Sequence, residues 1–190
     1  MRHVISCLVS NRSGVLARVA GLFSGRGFNI DSLAVGETET QDVSRMTIVV
    51  NGDDAILEQI RKQLSKLIDV IKVRDFADCN VIERDLMLAK VHAPPAKRPE
   101  IMQLVEVFRG KVVDVGPSHL VLELSGTEDK LEAFLEVLRP YGIKEVSRTG
   151  RIAMARGSQG LIEASKRGTS RAKPQAPQPP QASPPAQGEP

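Results

Sequence analysis

Tryptophan is absent from this chain of 190 residues, and five Phe with one Tyr are its only aromatics. So few rings give no platform on which nucleic-acid bases would stack, and they fall mainly at helix-face spacing, where they serve a core. Cysteine is equally scarce. Cys7 and Cys79 lie in apolar, strand-like surroundings without C-x-x-C spacing, which reads as buried free thiols rather than a disulfide or a metal site. The three histidines, His3, His92 and His119, fall in or beside expected strands with no Cys, His or carboxylate at ligand spacing. No apolar run approaches the roughly 20 residues of a membrane span. The opening MRHVISCLVSNRSG lacks the apolar segment and cleavage site of a secretion signal, so a cytoplasmic location is expected.

Catalytic motifs are missing too. There is no G-x-S-x-G elbow, Walker loop or dinucleotide fingerprint, and Gly21–Gly27 precedes a strand instead of opening a helix. An independent enzyme is therefore not the expectation. The formal charge of +3 is uneven: residues 144–190 carry eight Lys/Arg against three Asp/Glu, which leaves −2 for residues 1–143. The part with a core is thus not basic, and nucleic acid is not expected as a partner.

What is present is a pattern that occurs twice. A β-rich run, His3–Val9, is followed by a helix placing Val15, Leu16, Val19, Ala20 and Phe23 on one face. Strands at 30–35 and 45–50 follow, joined by a polar stretch, 36–42, that reads as a flexible hairpin connection. Asp53 caps a second helix with Ile56, Leu57, Ile60, Leu64 and Leu67 in register, and 70–73 gives a fourth strand. The order is βαββαβ, the split βαβ or ferredoxin-like arrangement. It recurs with a strand at 86–91, a helix marked by Ile101, Leu104, Val105 and Phe108, and a hairpin of 111–115 with 119–124. A helix capped by Thr127 with Leu131, Phe134, Leu135 and Leu138 inward comes next, and strands at 143–146 and 151–155 close the sheet. The fold class is α+β, two such units followed by a tail. The tail, rich in Pro, Gln, Ala and Ser, has too little apolar surface to order itself and is expected to be disordered.

The segment Ser10–Ile30 draws attention because a strand end runs straight into a glycine-opened helix. The first turn of a helix offers amides without intrahelical partners and the positive end of the dipole, so a carboxylate can be held by main chain alone, and Gly14 would allow it close. The alternative is a plain cap, with Asn11 or Ser13 closing the helix and Gly14 serving only the turn.

The residues Asn11-Arg12-Ser13-Gly14-Val15-Leu16, Gly21-Leu22-Phe23-Ser24, Arg26-Gly27-Phe28-Asn29-Ile30 and Ser44-Arg45-Met46-Thr47-Ile48 closely resemble the ACT domain of the small regulatory subunits of acetolactate (acetohydroxyacid) synthase. Phe108-Arg109-Gly110-Lys111-Val112-Val113-Asp114-Val115, Ser125-Gly126-Thr127 and Arg148-Thr149-Gly150 are similar to the second domain of that family. The resemblance covers about residues 1–158 in one register; Ser13 stands where many ACT domains carry proline.

The resemblance implies an N-terminal ACT domain at 1–76, a C-terminal αβ domain at 77–158 and a basic, then Pro-rich, tail at 159–190. It implies a non-catalytic subunit of branched-chain amino-acid biosynthesis that activates a catalytic (large) subunit and confers feedback inhibition by valine, with leucine and isoleucine as further effectors. Thiamine diphosphate, Mg2+ and FAD would belong to that partner, with no cofactor or metal in this chain. It also implies a homodimer through the ACT domains, with effector sites at its interface. There Gly14, Val15 and Leu16 would take the carboxylate and Asn11 would add a polar side chain. Asn29 with Ile30 of the other copy would meet the ammonium and line the side-chain pocket, where Val15, Leu16, Ile30 and Val35 would suit a branched apolar side chain. The alternative function is a free-standing ACT amino-acid sensor that regulates another enzyme or transcription.

Overall fold

The structure, a computed structural model, describes residues 1–77 and 80–157. Cys79 and the expected tail lie outside the described residues. Strand β1 (Arg2–Ser10) leads into α1 (Val15–Ser24), β2 (Ser32–Glu37), β3 (Val43–Asn51), α2 (Asp54–Leu64) and β4 (Val70–Asp75). The second series is β5 (Val81–His92), α3 (Arg98–Val107), β6 (Lys111–Val115), β7 (His119–Gly126), α4 (Glu128–Leu138) and β8 (Ile143–Arg148). A last strand, β9 (Ile152–Ala155), follows. The expected βαββαβ order is found twice.

Both sheets are antiparallel and have the same order, β2-β3-β1-β4 and β6-β7-β5-β8. They share an irregularity as well: β1 slips register against β4 at Leu8/Val9, and β5 slips against β8 at Lys90/Val91. Alternation explains each core. Ile5, Cys7 and Val9 of β1 and Met46, Ile48 and Val50 of β3 pack with Val19 and Phe23 of α1 and Ile60 and Leu64 of α2. In the second unit Met87, Val91, Leu120, Leu122 and Leu124 meet Ile101, Val105, Leu131, Phe134 and Leu138. Each fully buried aliphatic or aromatic side chain contributes about 1.5–3 kcal/mol. Phe134 also packs obliquely on Phe108, ring centroids 5.0 Å apart. Burial pushes the Cys7 thiol up to about 12, which marks it as an inert core residue, as its apolar strand implied.

Four local expectations need correction. Leu16 is 45% exposed and Ala20 only partly covered, while Leu22 is buried. The inward stripe of α1 is Val15, Val19, Leu22 and Phe23, and Leu16 lies about 100° round the helix from Val15. The 36–42 connection is a hydrogen-bonded loop rather than a loose one. Thr38 Oγ1 donates toward the Thr40 and Val43 carbonyls, and the Asn11 amide donates to the Asp42 carbonyl at 2.7 Å. Thr127 precedes α4 but makes no side-chain capping bond. Finally, β5 begins five residues before the expected strand, because Val81–Arg84 pairs with β9 and not with the rest of its own sheet.

That β5–β9 ribbon matters for the whole molecule. The side of the first sheet turned away from α1 and α2 carries Ser6, Leu8, Thr47 and Val49, all 2% exposed or less. An open face would leave these wet; here the second unit covers it. The Arg151 amide donates to Ser32 Oγ at 3.0 Å, and Val49 lines a polar crevice together with Asp85, Thr149 and Gly150. Gly150 is required for this contact. Its φ is +86°, and a Cβ there would come within 2.9 Å of Ser32 Oγ and 3.2 Å of the Leu33 carbonyl oxygen.

Candidate functional site

Helix α1 starts differently from α2. Asp53 closes α2, its Oδ1 accepting from the Ile56 amide at 2.8 Å. At α1 the capping position is Gly14 itself, with φ +83°, and no side chain bonds the first turn. The cap reading of Asn11 and Ser13 therefore fails: the Asn11 amide group donates to Glu37 Oε1 at 3.0 Å, away from the helix. The first-turn amides of α1, Leu16 and Ala17 among them, stay available to an incoming anion. No Asp or Glu lies in that turn to compete for them. A Cβ on Gly14 would meet nothing closer than 4.0 Å, so glycine is set there by its left-handed backbone rather than by crowding.

The seven residues expected at the site fall into two groups. Asn11, Gly14, Val15 and Leu16 gather where β1 ends, and the Asn11–Glu37 bond ties them to the C-terminal end of β2. Val35 lies on β2, two residues before Glu37, and is 48% exposed. Asn29 and Ile30 lie beyond the far end of α1, where Asn29 donates to Asp31 Oδ1 at 2.8 Å and the Asp31 amide donates to Val49. The six residues of β2 separate the groups by about 17 Å at 3.3–3.4 Å per residue. Val15 is buried in the core and contributes only its backbone to this surface, whereas Leu16 and Val35 expose apolar side chains. One chain brings Asn11, Gly14 and Leu16 together and leaves Asn29 and Ile30 at the other end of the same strand. That strand is an edge of its sheet, with one row of backbone groups unpaired among the described residues.

A charged network that sequence reasoning missed begins next to Asn29. Asp31 also accepts from Asn51 Nδ2 and faces Arg2 at 3.6 Å. Arg2 pairs in turn with Glu128 at the start of α4, 126 residues away. Glu128 is shared with Arg151, whose guanidinium is 13% exposed and bridges to Glu83 at 2.9 Å. These partners come from both units, and nothing in local spacing announces them. A smaller surprise is His119, whose Nε2 lies 3.4 Å from Asp114 across a hairpin. Among the described residues, no group of three or more His, Cys, Asp or Glu is placed to hold a metal ion. No described helix is long and apolar enough to cross a membrane.

Comparison with known proteins bears on both halves. Residues 5–72 match the family described as "AHAS small subunit-like ACT domain", and residues 84–157 match "Small subunit of acetolactate synthase". A protein of Archaeoglobus fulgidus named "Probable acetolactate synthase small subunit" is 56% identical over 159 residues, covering 84% of this chain and 99% of that one. The acetolactate synthase small subunit of Mycolicibacterium smegmatis is 53% identical over 159 residues, covering 84% and 94%. The crystal structure of the small subunit from Thermotoga maritima superposes with a TM-score of 0.76 at 43% identity, covering 84% of this chain and 99% of that one. With both βαββαβ units matched in one register, the chain belongs to the acetolactate synthase small-subunit family.

Proposed function

We propose that this chain activates a separate catalytic subunit of acetolactate synthase and makes it sensitive to valine, bound where two copies of the chain meet. The observation that carries the reading is the placement of the two residue groups at opposite ends of an edge strand. Antiparallel pairing of β2 with β2 of a second copy would set Gly14 and the first turn of α1 of one chain beside Asn29 and Ile30 of the other. The carboxylate would take the free amides, and Asn29 would meet the ammonium, with Asn11 adding a polar contact. Leu16, Ile30 and Val35 would surround a branched apolar side chain. A pocket of that kind separates valine from leucine or isoleucine by only about 1–3 kcal/mol, so the latter would bind as weaker effectors.

Regulation requires differential affinity: valine shifts the enzyme only as far as it prefers one arrangement of the subunit pair over another. On this reading, residues 1–76 sense and residues 77–158 transmit. The chain supplies no catalytic group, works in the cytoplasm, and leaves thiamine diphosphate, Mg2+ and FAD to its partner. A free-standing sensor would share the pocket but would not change the synthase.

Isothermal titration of valine into the full chain is the test, repeated with Gly14→Asp and Asn29→Ala variants that keep their circular dichroism. Binding of about one valine per chain, weakened about 100-fold or more in each variant, is expected; a carboxylate at position 14 takes the place of the ligand's own. Gly14→Asp is expected to leave activation of the catalytic subunit intact. Unchanged valine inhibition in a folded Gly14→Asp subunit would overturn the placement of the site.

A further inference from the structure

An amide side chain has a donating end and an accepting end of nearly equal size, and only the accepting end suits an ammonium. Asn29 is exposed in the connection between α1 and β2, so packing does not choose between its two orientations. Asp31 does. A carboxylate accepts and has nothing to donate, so its Oδ1 takes the amide hydrogen of Asn29 at 2.8 Å; the reverse orientation would set two oxygens against each other. The Asn29 carbonyl oxygen is thereby left as a free acceptor, with no hydrogen-bond donor among the described residues.

Asp31 is in turn held from the second unit. Its side chain is 15% exposed, and its Oδ2 faces Arg2 Nε at 3.6 Å while accepting from Asn51. The Arg2 guanidinium reaches on to Oε1 of Glu128, and Arg151 takes Oε2 of the same carboxylate. Glu128 is the first residue of α4, where the positive end of the helix favours its charge. The Arg151 amide bonds Ser32, the residue after Asp31, so the second unit grips this short segment through side chain and main chain together. The contacts line one polar crevice of about 270 Å³ between the units.

We propose that Asp31 is a positioning residue of the effector site, keeping the Asn29 carbonyl oxygen toward the ligand's ammonium, and that Glu128 of the second unit keeps Asp31 in place through Arg2. This rests on the valine site of the proposed function and adds to it a residue of the second unit that touches no effector yet sets how well the site recognises an ammonium. The dependence runs both ways. A ligand that uses the Asn29 acceptor favours the arrangement in which Asp31, Arg2 and Glu128 are joined, so occupancy of the site tightens the joint between the units by the same factor as the joint tightens binding.

Isothermal titration of the full chain with valine, and with 2-hydroxy-3-methylbutanoate competing against valine, decides the matter for wild type, Asp31→Asn and Glu128→Gln, each checked for folding by circular dichroism. A hydroxyl both donates and accepts, so the hydroxy acid suits either end of the Asn29 amide, whereas an ammonium only donates. Valine affinity should fall about tenfold in Asp31→Asn and about threefold in Glu128→Gln, with affinity for the hydroxy acid within about twofold of wild type. Glu132→Gln, which breaks the pair of Glu132 with Arg148 on the same helix, is the control and should bind as wild type does. A ratio of the two affinities that does not move in Asp31→Asn, whether both ligands weaken alike or neither does, would overturn the inference and, where Asn29→Ala still weakens valine, leave the effector site standing. Loss confined to Asp31→Asn, with Glu128→Gln as wild type, would overturn the part given to the second unit. A wild-type chain that binds no valine would overturn the proposed function along with it.

Discussion

The two units match in topology, in strand order and in the position of a register slip, yet their first connections are built from opposite materials. After β1 the chain turns through Ser-Asn-Arg-Ser-Gly and enters α1 with its opening amides free. After β5 it turns through Ala-Pro-Pro-Ala-Lys-Arg-Pro, and the corresponding space is already taken. Arg98, the first residue of α3, donates from Nε to the Ala93 carbonyl at 3.2 Å and from Nη2 to the Pro117 carbonyl at 2.8 Å. Pro95 and Pro99 carry no amide hydrogen to offer a ligand. Residues 1–93 contain no proline at all, whereas five of the 12 prolines, Pro94, Pro95, Pro99, Pro117 and Pro140, stand at helix or 3₁₀ starts or in the hairpin loop of the second unit. The same scaffold leaves its first helix start open in one unit and closes it with proline and arginine in the other.

This contrast can be broken or sharpened by experiment. The largest effect is expected for Phe134→Ala, which empties the centre of the second core and costs about 3–5 kcal/mol. Tyr141 is the only tyrosine, there is no tryptophan, and it packs against that same core. Its fluorescence therefore reports the second unit alone. Its melting midpoint should fall well below that of the far-ultraviolet dichroism; coincident transitions would show that the units unfold as one.

Arg151→Ala comes next. Removing this shared guanidinium leaves Glu83 and Glu128 facing each other with only Arg2 to compensate, at a cost of about 2 kcal/mol. The loss falls on the joint and not on either core, so the tyrosine and dichroism midpoints should separate more than in wild type. No separation would mean that the units are joined by the apolar contact alone. The smallest effect tests the two helix starts. Asp53→Ala should cost about 1 kcal/mol, because a real cap is lost, while Ser13→Ala should cost next to nothing in denaturant unfolding. Equal costs would mean that α1 has a cap after all.

Much of this architecture was legible in the sequence because it is local. Alternation marked β1, β3 and β7, the 3.6-residue period marked α2 and α4, and the 111–115 strand was read with its ends as found. Gly14 was legible as the residue that opens α1, because a glycine between a strand and an apolar-periodic segment suits a left-handed turn. The misses share a cause: they depend on partners remote in the chain. Val81–Arg84 looks like a polar linker until β9, some 70 residues later, pairs with it. Leu16 belongs by composition to the core stripe, and only the packed helix shows it facing outward. Neither Arg2 nor Glu128 has a neighbour in sequence that points to the other.

The separation of Gly14 and Asn29 along β2 carries a genetic corollary. If each pocket draws one half from each chain, a Gly14→Asp subunit is defective only as a donor of amides and an Asn29→Ala subunit only as a donor of the amide side chain. Each variant alone is blind to valine. In a mixed pair one pocket collects both lesions and the other collects none, so two insensitive alleles expressed together should restore feedback to the half of the dimers that are mixed.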